Sequence, residues 1–326
     1  MVDVETFLTV VYVLVDDVSK DVCPDQDTSP DRPRGPLPAL SRSEVITLAL
    51  CAHCLPFPSE RAFYRYAVRH LRPLFPRLPD RSQFNRQLGR QVSAIVRVGL
   101  AVAGRLESVV GARQRRGAPC PYEVLDGMGV ATRNLKRRGG GWLAQIATVG
   151  HSNRLGWYEG VYLLTAVTPQ GTLTGFGVAS AHCKDQVVAD TFLAARHCCE
   201  PRLPEVGRSL AEDLYLGDSG FEGQAWHAQW AQRDGAVLLC PPKARDRRSR
   251  HPWTRAERRS FAGLRQIVET VHARLLDTFG LAHLRPHALS GLRAHLAAMV
   301  AALNVCCWLN LEGGRPLLAF ADLLEW

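Results

Sequence analysis

The sequence predicts an α/β protein in which a mixed sheet flanked by helices follows a small helical, arginine-rich region. The first hundred or so residues have the pattern of helices separated by proline-rich joints. Beyond residue 115, short strand patterns appear first, and strands then alternate with helices. With 326 residues of which 46% are hydrophobic, the chain can bury one large core or two modest ones. Disordered and collagen-like proteins are excluded.

The first predicted helices are defined by their start and stop signals. Residues 4–18 form an apolar stretch that ends in acids. Ser41-Arg-Ser-Glu44 is a capping box, in which each side chain satisfies a free backbone amide of a helix start. A helix over 42–54 is therefore expected.

Two further helices are predicted before the sheet. Ser59 can cap a helix that runs to about Arg72, and Ser82 can cap another that runs to about Leu106. The first of these carries four arginines on one face, which could lie along phosphates: Arg61, Arg65, Arg69 and Arg72. Short helices of this kind are compatible with a helix-turn-helix DNA reader.

A small, basic linker at 111–120 predicts the domain boundary, with a helical DNA-binding region at 1–115 and a second domain at 116–326. The strands predicted in the second domain are 122–126, 161–167, 172–178, 214–217 and 236–240. The helices predicted there are 184–199, 222–233, 260–279 and 289–309. Thr168-Pro-Gln-Gly171 predicts a hairpin turn between the second and third strands.

Positive charge is concentrated in two tracts of the chain, whose net charge is +9. Thirteen arginines stand against three acids over residues 60–116, and nine basic residues stand against two acids over 243–265. Such concentration indicates a polyanion partner, and nucleic acid leads the candidates because phosphate contacts release counterions. The candidate DNA contacts are Arg61, Arg65, Arg69, Arg72, Lys136, Arg137, Arg138, Lys243, Arg247, Arg248 and Arg265.

No membrane segment or secretion signal is expected from the sequence. The longest apolar runs, 7–15 and 296–305, are shorter than the roughly 18–20 residues that span a bilayer. Asp3 and Glu5 stand where a secretory signal carries basic residues. The ten cysteines are irregularly spaced, which favours reduced thiols over a disulfide framework. We therefore expect a cytoplasmic, nucleoid-associated protein.

Carboxylates at strand ends are the strongest signal for chemistry. Asp126 and Asp218 each end a predicted strand, and each is followed closely by glycine. Oxygen ligands with open space beside them suit Mg²⁺, which keeps positions free for water and phosphate. A third ligand is expected from the helix at 260–279, where Glu269 flanks the apolar stripe and Asp277 points elsewhere. Glu269 is the better candidate.

The same residues carry a family resemblance. The order Asp126-Gly, then Asp218-Ser-Gly-Phe221, then Arg265-Gln-Ile-Val-Glu269 resembles the catalytic triad of the DDE transposases encoded by bacterial insertion sequences. The catalytic core of that family is similar to ribonuclease H. The resemblance covers roughly residues 115–310 and rests on several motifs in order.

Other segments extend the resemblance, and two positions depart from it. Gly156-Trp-Tyr-Glu-Gly-Val161 is similar to the family's aromatic-glycine entry to its second and third strands. His182-Cys-Lys-Asp185 stands where such proteins often carry a His-Asp pair before a helix. The tyrosine and lysine of the family's last-helix signature are replaced by Ala262 and Leu276. The lysine's role in DNA binding falls to Arg274 or to the 243–259 tract.

The resemblance implies a transposase that uses two Mg²⁺ ions, with Mn²⁺ as a substitute, held by Asp126, Asp218 and Glu269. Asp126 would touch both metals. The implied partners are the inverted-repeat ends of an element and target DNA, bound by a homodimer. The residues leave two alternatives open: a ribonuclease-H-like nuclease without strand transfer, or a catalytically retired DNA-binding regulator derived from a transposase.

Overall fold

The structure is a computed structural model. It describes residues 3–23, 38–55, 57, 59–114, 120–133, 143, 146–198, 203–242, 253–284, 286–321 and 323.

Five helices precede the sheet. They are α1 (Val4–Val22), α2 (Arg42–Cys54), α3 (Glu60–His70), α4 (Arg81–Arg90) and α5 (Val92–Arg113). The predicted capping box at the start of α2 is confirmed, since the Ser41 amide donates to Glu44 Oε2 at 2.6 Å and the Glu44 amide donates to Ser41 Oγ at 3.2 Å. Ser59 caps α3 as expected, accepting from the Ala62 amide.

The structure differs in two ways from the single helix predicted from Ser82 to Leu106. The N-cap is a different residue, and the chain forms two helices. Asp80 is the N-cap, because its backbone is extended and its carboxylate accepts from the Gln83 amide at 2.9 Å. The Ser82 hydroxyl donates to the same carboxylate. A carboxylate two residues upstream displaces the hydroxyl as the capping acceptor. The chain then breaks at Gln91 into two helices, just after Gly89, a poor helix former.

Six strands form one mixed sheet. They are β1 (Glu123–Arg133), β2 (Thr148–Ser152), β3 (Gly156–Val167), β4 (Leu173–Ser180), β5 (Leu214–Leu216) and β6 (Val237–Leu239). Its order is β2-β3-β1-β5-β6; β2 and β4 pair with successive halves of β3. The pairs made by β3 are antiparallel, while β1, β5 and β6 run parallel.

The predicted hairpin between β3 and β4 is confirmed. The Thr168 amide donates to the Thr172 carbonyl at 2.9 Å, and Gly171 adopts a φ of 86°, which glycine takes without strain.

Helices flank the sheet as the sequence predicts. They are α6 (Asp185–Arg196), α7 (Gln224–Asp234) and α8 (Arg255–Ala273). A further helix, α9 (Leu289–Glu312), follows in the chain. α8 begins five residues earlier than expected because Thr254 and Glu257 form a second capping box. A π-helical turn at Arg274–Thr278 continues it. This mixed α/β architecture is compatible with the ribonuclease-H-like fold.

The apolar core between the sheet and its helices contains large side chains from both. It includes Trp230 from α7, Phe192 from α6, Tyr215 from β5 and Leu164 from β3, all nearly or fully buried. Burial of this aromatic surface fixes α6 and α7 against the sheet, which places the loops that follow β4 and β5.

The chain groups into two compact units. One comprises Met1–Val102 with Ser290–Trp326, and the other comprises Ala103–Leu289. The sequence boundary at 115/116 stays a prediction. α9 is long and apolar enough to cross a membrane by length and composition, but 78% of its most apolar window is buried inside the protein, as in a core helix.

A buried ion pair anchors the start of β1. Glu123 and Arg196 are both fully buried, and Arg196 Nη2 lies 2.8 Å from Glu123 Oε2. Arg196 also donates to the Tyr215 hydroxyl and to main-chain carbonyls, including that of Thr174. A buried charge pair is tolerated only when its remaining donors are satisfied, so this network ties α6 to β1 and β5.

Removing one partner of this pair should be costly. We predict that Arg196→Ala lowers the free energy of unfolding by about 3–5 kcal/mol, because Glu123 would stay buried without its counter-charge. Denaturant unfolding of the purified protein measures the loss. Lys20→Ala breaks the exposed pair with Asp16 and should cost far less, because solvent screens that pair. Equal losses in the two variants would contradict the prediction.

Candidate active site

Two carboxylates come together where the parallel pairing of β1 with β5 ends. The strand end predicted at Asp126 is wrong, because antiparallel pairing with β3 continues β1 to Arg133. β1 and β5 pair in parallel with Val124 opposite Leu216. Asp126 and Asp218 each lie two residues beyond this pair, so the register puts them at the same level of adjacent strands. Asp218 then begins a short 3₁₀ turn, in which its Oδ1 accepts from the Gly220 amide at 2.7 Å.

Asp126 is largely buried, with 18% of its side chain exposed. Its pKa is raised from 3.8 to about 7, chiefly by burial; the charge of Arg265 opposes the rise, and the charges of Asp218 and Asp185 contribute to it. Its Oδ1 accepts from the Gly127 amide at 2.9 Å, and its Oδ2 lies 3.5 Å from Arg265 Nη2. The site therefore concentrates negative charge that one arginine only partly offsets.

Asp185, at the start of α6, is a third carboxylate of this cluster. Its Oδ2 and Asp218 Oδ1 lie within 2.2 and 2.8 Å of the point that a Cβ at position 220 would occupy. Gly220 thus lets both oxygens approach the same turn. Asp185 follows His182 in the sequence, and no sequence pattern predicts a part for it in the site. Only the fold brings the start of α6 to the end of β5.

Tyr162 on β3 links the acids. It hydrogen-bonds to Asp185, and burial together with the charges of Asp185, Asp126 and Asp218 raises its pKa far above the usual range for a phenol. Its hydroxyl oxygen lies 1.8 Å from the position that a Cβ at Gly127 would take. Glycine after Asp126 is therefore required by this ring and is more than a turn former.

α8 packs against the sheet directly opposite Asp126. Thr165 is the register partner of Asp126 on β3, and its hydroxyl donates to the Asp126 carbonyl at 3.3 Å. That hydroxyl has one proton, so the buried His272 donates to it from Nε2, with 2.8 Å between the two atoms. Burial, followed by the charge of Arg154, lowers the pKa of His272 to about 4. A neutral histidine thus fixes α8 beside the first aspartate.

Arg265 lies two turns before His272 on the same face of α8. Its side chain is 19% exposed, and its Nε is buried without a hydrogen-bond partner among the residues described. We expected Arg265 to orient Glu269 or to hold a phosphate. The structure pairs it with Asp126.

Glu269 is exposed on the neighbouring flank of α8. It lines a shallow pocket with Gln266, Thr270, Arg274 and Asp277. We expected helical geometry to separate Glu269 from Asp277, but the π-helical turn follows directly and both border the same pocket. The described contacts bring Asp126, Asp218 and Asp185 together, and Glu269 is not among them.

The predicted DNA contacts are distributed over several places. Arg61, Arg65 and Arg69 are exposed on α3, and Arg72 is exposed just after it. Six of the predicted contacts lie outside the described residues: Lys136, Arg137, Arg138, Lys243, Arg247 and Arg248.

The donor chemistry of the cluster fits a hard divalent cation. Carboxylate oxygens are the ligands that Mg²⁺ prefers, and the like charges that raise the pKa of Asp126 are those that a cation would relieve. Within the ranges that the structure describes, no three histidine, cysteine or acidic side chains already stand at metal-ligand spacing. Side-chain movement must accompany cation binding.

Comparison with known proteins gives one match. No curated protein and no solved structure matches the chain. A family model described as the transposase DDE domain matches residues 124–305, which is more than half of the 326-residue chain. The matched region begins on β1 beside Asp126 and includes Asp185, Asp218 and all of α8. The resemblance seen in the sequence is therefore confirmed, and the chain belongs to the transposase DDE domain family.

Proposed function

We propose that this transposase cleaves DNA phosphodiester bonds at the inverted-repeat ends of its own element and joins the freed 3′ hydroxyl to target DNA. The observation that carries the proposal is the pair of aspartates, Asp126 and Asp218, held side by side just beyond the parallel pairing of β1 with β5. The family establishes a transposase, and this site supplies groups suited to phosphoryl transfer.

The cofactor in this proposal is Mg²⁺, two ions per site, with Mn²⁺ as a substitute. Bound divalent ions activate the attacking oxygen and neutralise charge at the phosphate. Asp126 would contact both ions, and Asp218 would contact one, since its Oδ1 lies at the same turn as an oxygen of Asp185. Gly220 leaves this space to carboxylate oxygens, and Gly127 leaves room for the Tyr162 ring beside them.

Glu269 would complete the site by turning from the outer flank of α8. It lies one helical turn after Arg265, whose guanidinium already reaches Asp126. A glutamate side chain has several rotatable bonds, and the exposure of Glu269 leaves this side chain free to turn toward Asp126. The His272–Thr165 hydrogen bond holds the helix in place during that movement.

Arg265 acts as a counter-ion and a phosphate clamp in the same proposal. Without substrate it offsets part of the charge on Asp126. Once cations neutralise the aspartates, its planar donor group is available for a phosphate oxygen. Its buried Nε without a described partner is consistent with a second acceptor supplied by substrate.

The partners that we propose are element ends and target DNA, bound by a homodimer that handles two ends. The exposed arginines of α3 support DNA binding. A cytoplasmic location with nucleoid association accords with such a partner.

Asp126→Asn should abolish Mg²⁺-dependent cleavage of labelled element-end DNA, because the amide keeps the shape of the carboxylate and loses its charge. DNA binding should be retained, which an electrophoretic mobility shift checks. Unchanged cleavage would refute the site. If the wild-type chain binds DNA and cleaves none, the retired-regulator alternative holds.

Joining separates a transposase from a nuclease. Given a pre-cleaved end with a free 3′ hydroxyl and a target plasmid in Mg²⁺, the wild-type chain should yield covalently joined products. Cleavage without any joined product would favour the nuclease alternative.

Glu269 and Asp277 form a matched pair for testing the third ligand, because both are exposed acids that line one pocket. Glu269→Gln should remove cleavage, whereas Asp277→Asn should leave it within about twofold, the range of an ordinary surface substitution. Rates on the labelled end measure both. The reverse ranking, or equal activity of the two variants, would exclude Glu269.

The raised pKa of Asp126 predicts a pH effect on stability. The unfolded carboxyl ionises near 3.8 and the folded one near 7, so wild-type stability without metal should fall as pH rises across this interval. Asp126→Asn removes this loss, which makes the variant the more stable protein above pH 7. Added Mg²⁺ should then raise the wild-type melting temperature more than that of the variant. Parallel pH profiles in thermal unfolding would contradict the prediction.

A further inference from the structure

Helix α4 has one buried face and one exposed polar face. Phe84 and Leu88 are buried, and they point to one side of the helix. At about 100° per residue, Arg86 lies directly opposite them, with Gln83 and Arg90 beside it. All three of these polar side chains are exposed.

Contacts with α3 hold α4 firmly. The rings of Tyr64 and Phe84 pack with centroids 5.4 Å apart, and the Tyr64 hydroxyl donates to the Pro79 carbonyl just before α4. Asn85 Nδ2 donates to Glu60 Oε1 at 2.8 Å. These contacts occupy the sides of α4 that face α3, so its outer face is presented by a fixed helix.

The exposed side chains of α4 differ in kind from those of α3. The outer face of α3 carries arginines in series, which suits a row of phosphates. α4 combines arginine with glutamine and has no acid between its first and last residues. Arginine pairs with two acceptors of guanine, and glutamine pairs with the donor and acceptor edge of adenine, both in the major groove.

The shape of α4 also suits a groove. A Cβ at Gly89 would have no heavy atom within 4 Å, so the helix surface is open and low at this point. A helix about 10–12 Å across fits the major groove, which is about 12 Å wide. Gly89 lies about 60° around the helix from Arg86, so this low point lets the backbone approach the bases beside Arg86.

We propose that α4 enters the major groove of duplex DNA and reads base edges through Gln83, Arg86 and Arg90, while the arginines of α3 contact phosphates. This assignment rests on the proposed function, because it concerns how the enzyme recognises its element ends. It separates sequence selection from general affinity and places each on a different helix.

The test begins with a pool of randomised duplex DNA. The full-length wild-type chain selects bound duplexes over several rounds, and sequencing yields a consensus. Affinity is then measured for that consensus and for a scrambled duplex of equal composition at several salt concentrations. Wild type should prefer the consensus, and failure to enrich any sequence would overturn the proposal.

Variants of α4 should lose preference but keep general affinity. Arg86→Ala, Gln83→Ala and Arg90→Ala should each reduce the consensus-to-scrambled ratio by about 5- to 150-fold, the range for one bidentate base contact. Arg86→Lys should also lose preference, because it keeps the charge and lacks the planar fork. All four changes lie on the exposed face, and thermal unfolding verifies that each variant is folded.

Two comparisons show whether charge alone explains the result. Arg65→Ala on α3 should weaken both duplexes equally and reduce the salt slope by about one. Arg113→Ala removes an exposed arginine elsewhere and should change neither the ratio nor the slope. If Arg86→Ala and Gln83→Ala keep the wild-type consensus and ratio, α4 does not read bases.

The same DNA distinguishes this proposal from the catalytic one. A chain that selects a consensus through α4 but does not cleave it in Mg²⁺ would refute the enzyme and retain the recognition helix. A chain that cleaves while the α4 variants keep their preference would refute only the recognition helix.

Discussion

The parallel pairing of β1 with β5 is the constraint on which the site depends. It sets Asp126 and Asp218 on adjacent strands at one level, where two carboxylates repel each other and share little water. The fold tolerates this arrangement because the repulsion is confined to the carboxylates, while the neighbouring apolar side chains are buried in the core. The Arg196–Glu123 network holds the starts of the same two strands together. A stable end of the strand pair thus supports an unstable one.

Small residues leave room for these charged groups, and large side chains pack around them. Gly127 admits the Tyr162 ring, and Gly220 admits the oxygens of Asp185 and Asp218. Tyr162 in turn donates to Asp185 and limits how far the acids can move apart. Gly127 lies in a strand and Gly220 in a 3₁₀ turn, and both lie under side chains. Substitution there would push the acids away from one another.

Sequence patterns predicted the features that depend on neighbouring residues. The Ser41–Glu44 capping box and the β3–β4 hairpin follow from a few adjacent residues, and both are present. Asp126 and Asp218 were identifiable because a nearby glycine follows each of them, although β1 does not end at Asp126 as predicted. Ser82 was the wrong helix cap because two acceptors competed, and the carboxylate of Asp80 won. Such competition is decided by geometry that residue type alone does not show.

Other features depend on distant parts of the chain. Asp185 joins the site because α6 packs across the sheet onto the end of β5, and no pattern near residue 185 carries that information. The position of Glu269 is equally dependent on its surroundings. Its place on the helix predicts which flank it occupies, while its distance from Asp126 depends on how α8 is rotated, which the His272–Thr165 bond determines. Tertiary contacts therefore decide whether a carboxylate of the right type reaches the site.

The charge balance of the cluster bears on the proposal that Glu269 of α8 is an additional ligand. Three aspartates face one arginine, so the site is short of positive charge, and Asp126 responds by holding a proton toward neutral pH. A fourth acid built rigidly into the sheet would raise that cost further in the empty site. An acid on the exposed flank of α8 is solvated in the absence of cations. Its negative charge would become favourable in the site only once cations are bound. The exposure of Glu269 is thus compatible with the proposed role as the last ligand to bind, since water stabilises its charge in the metal-free site.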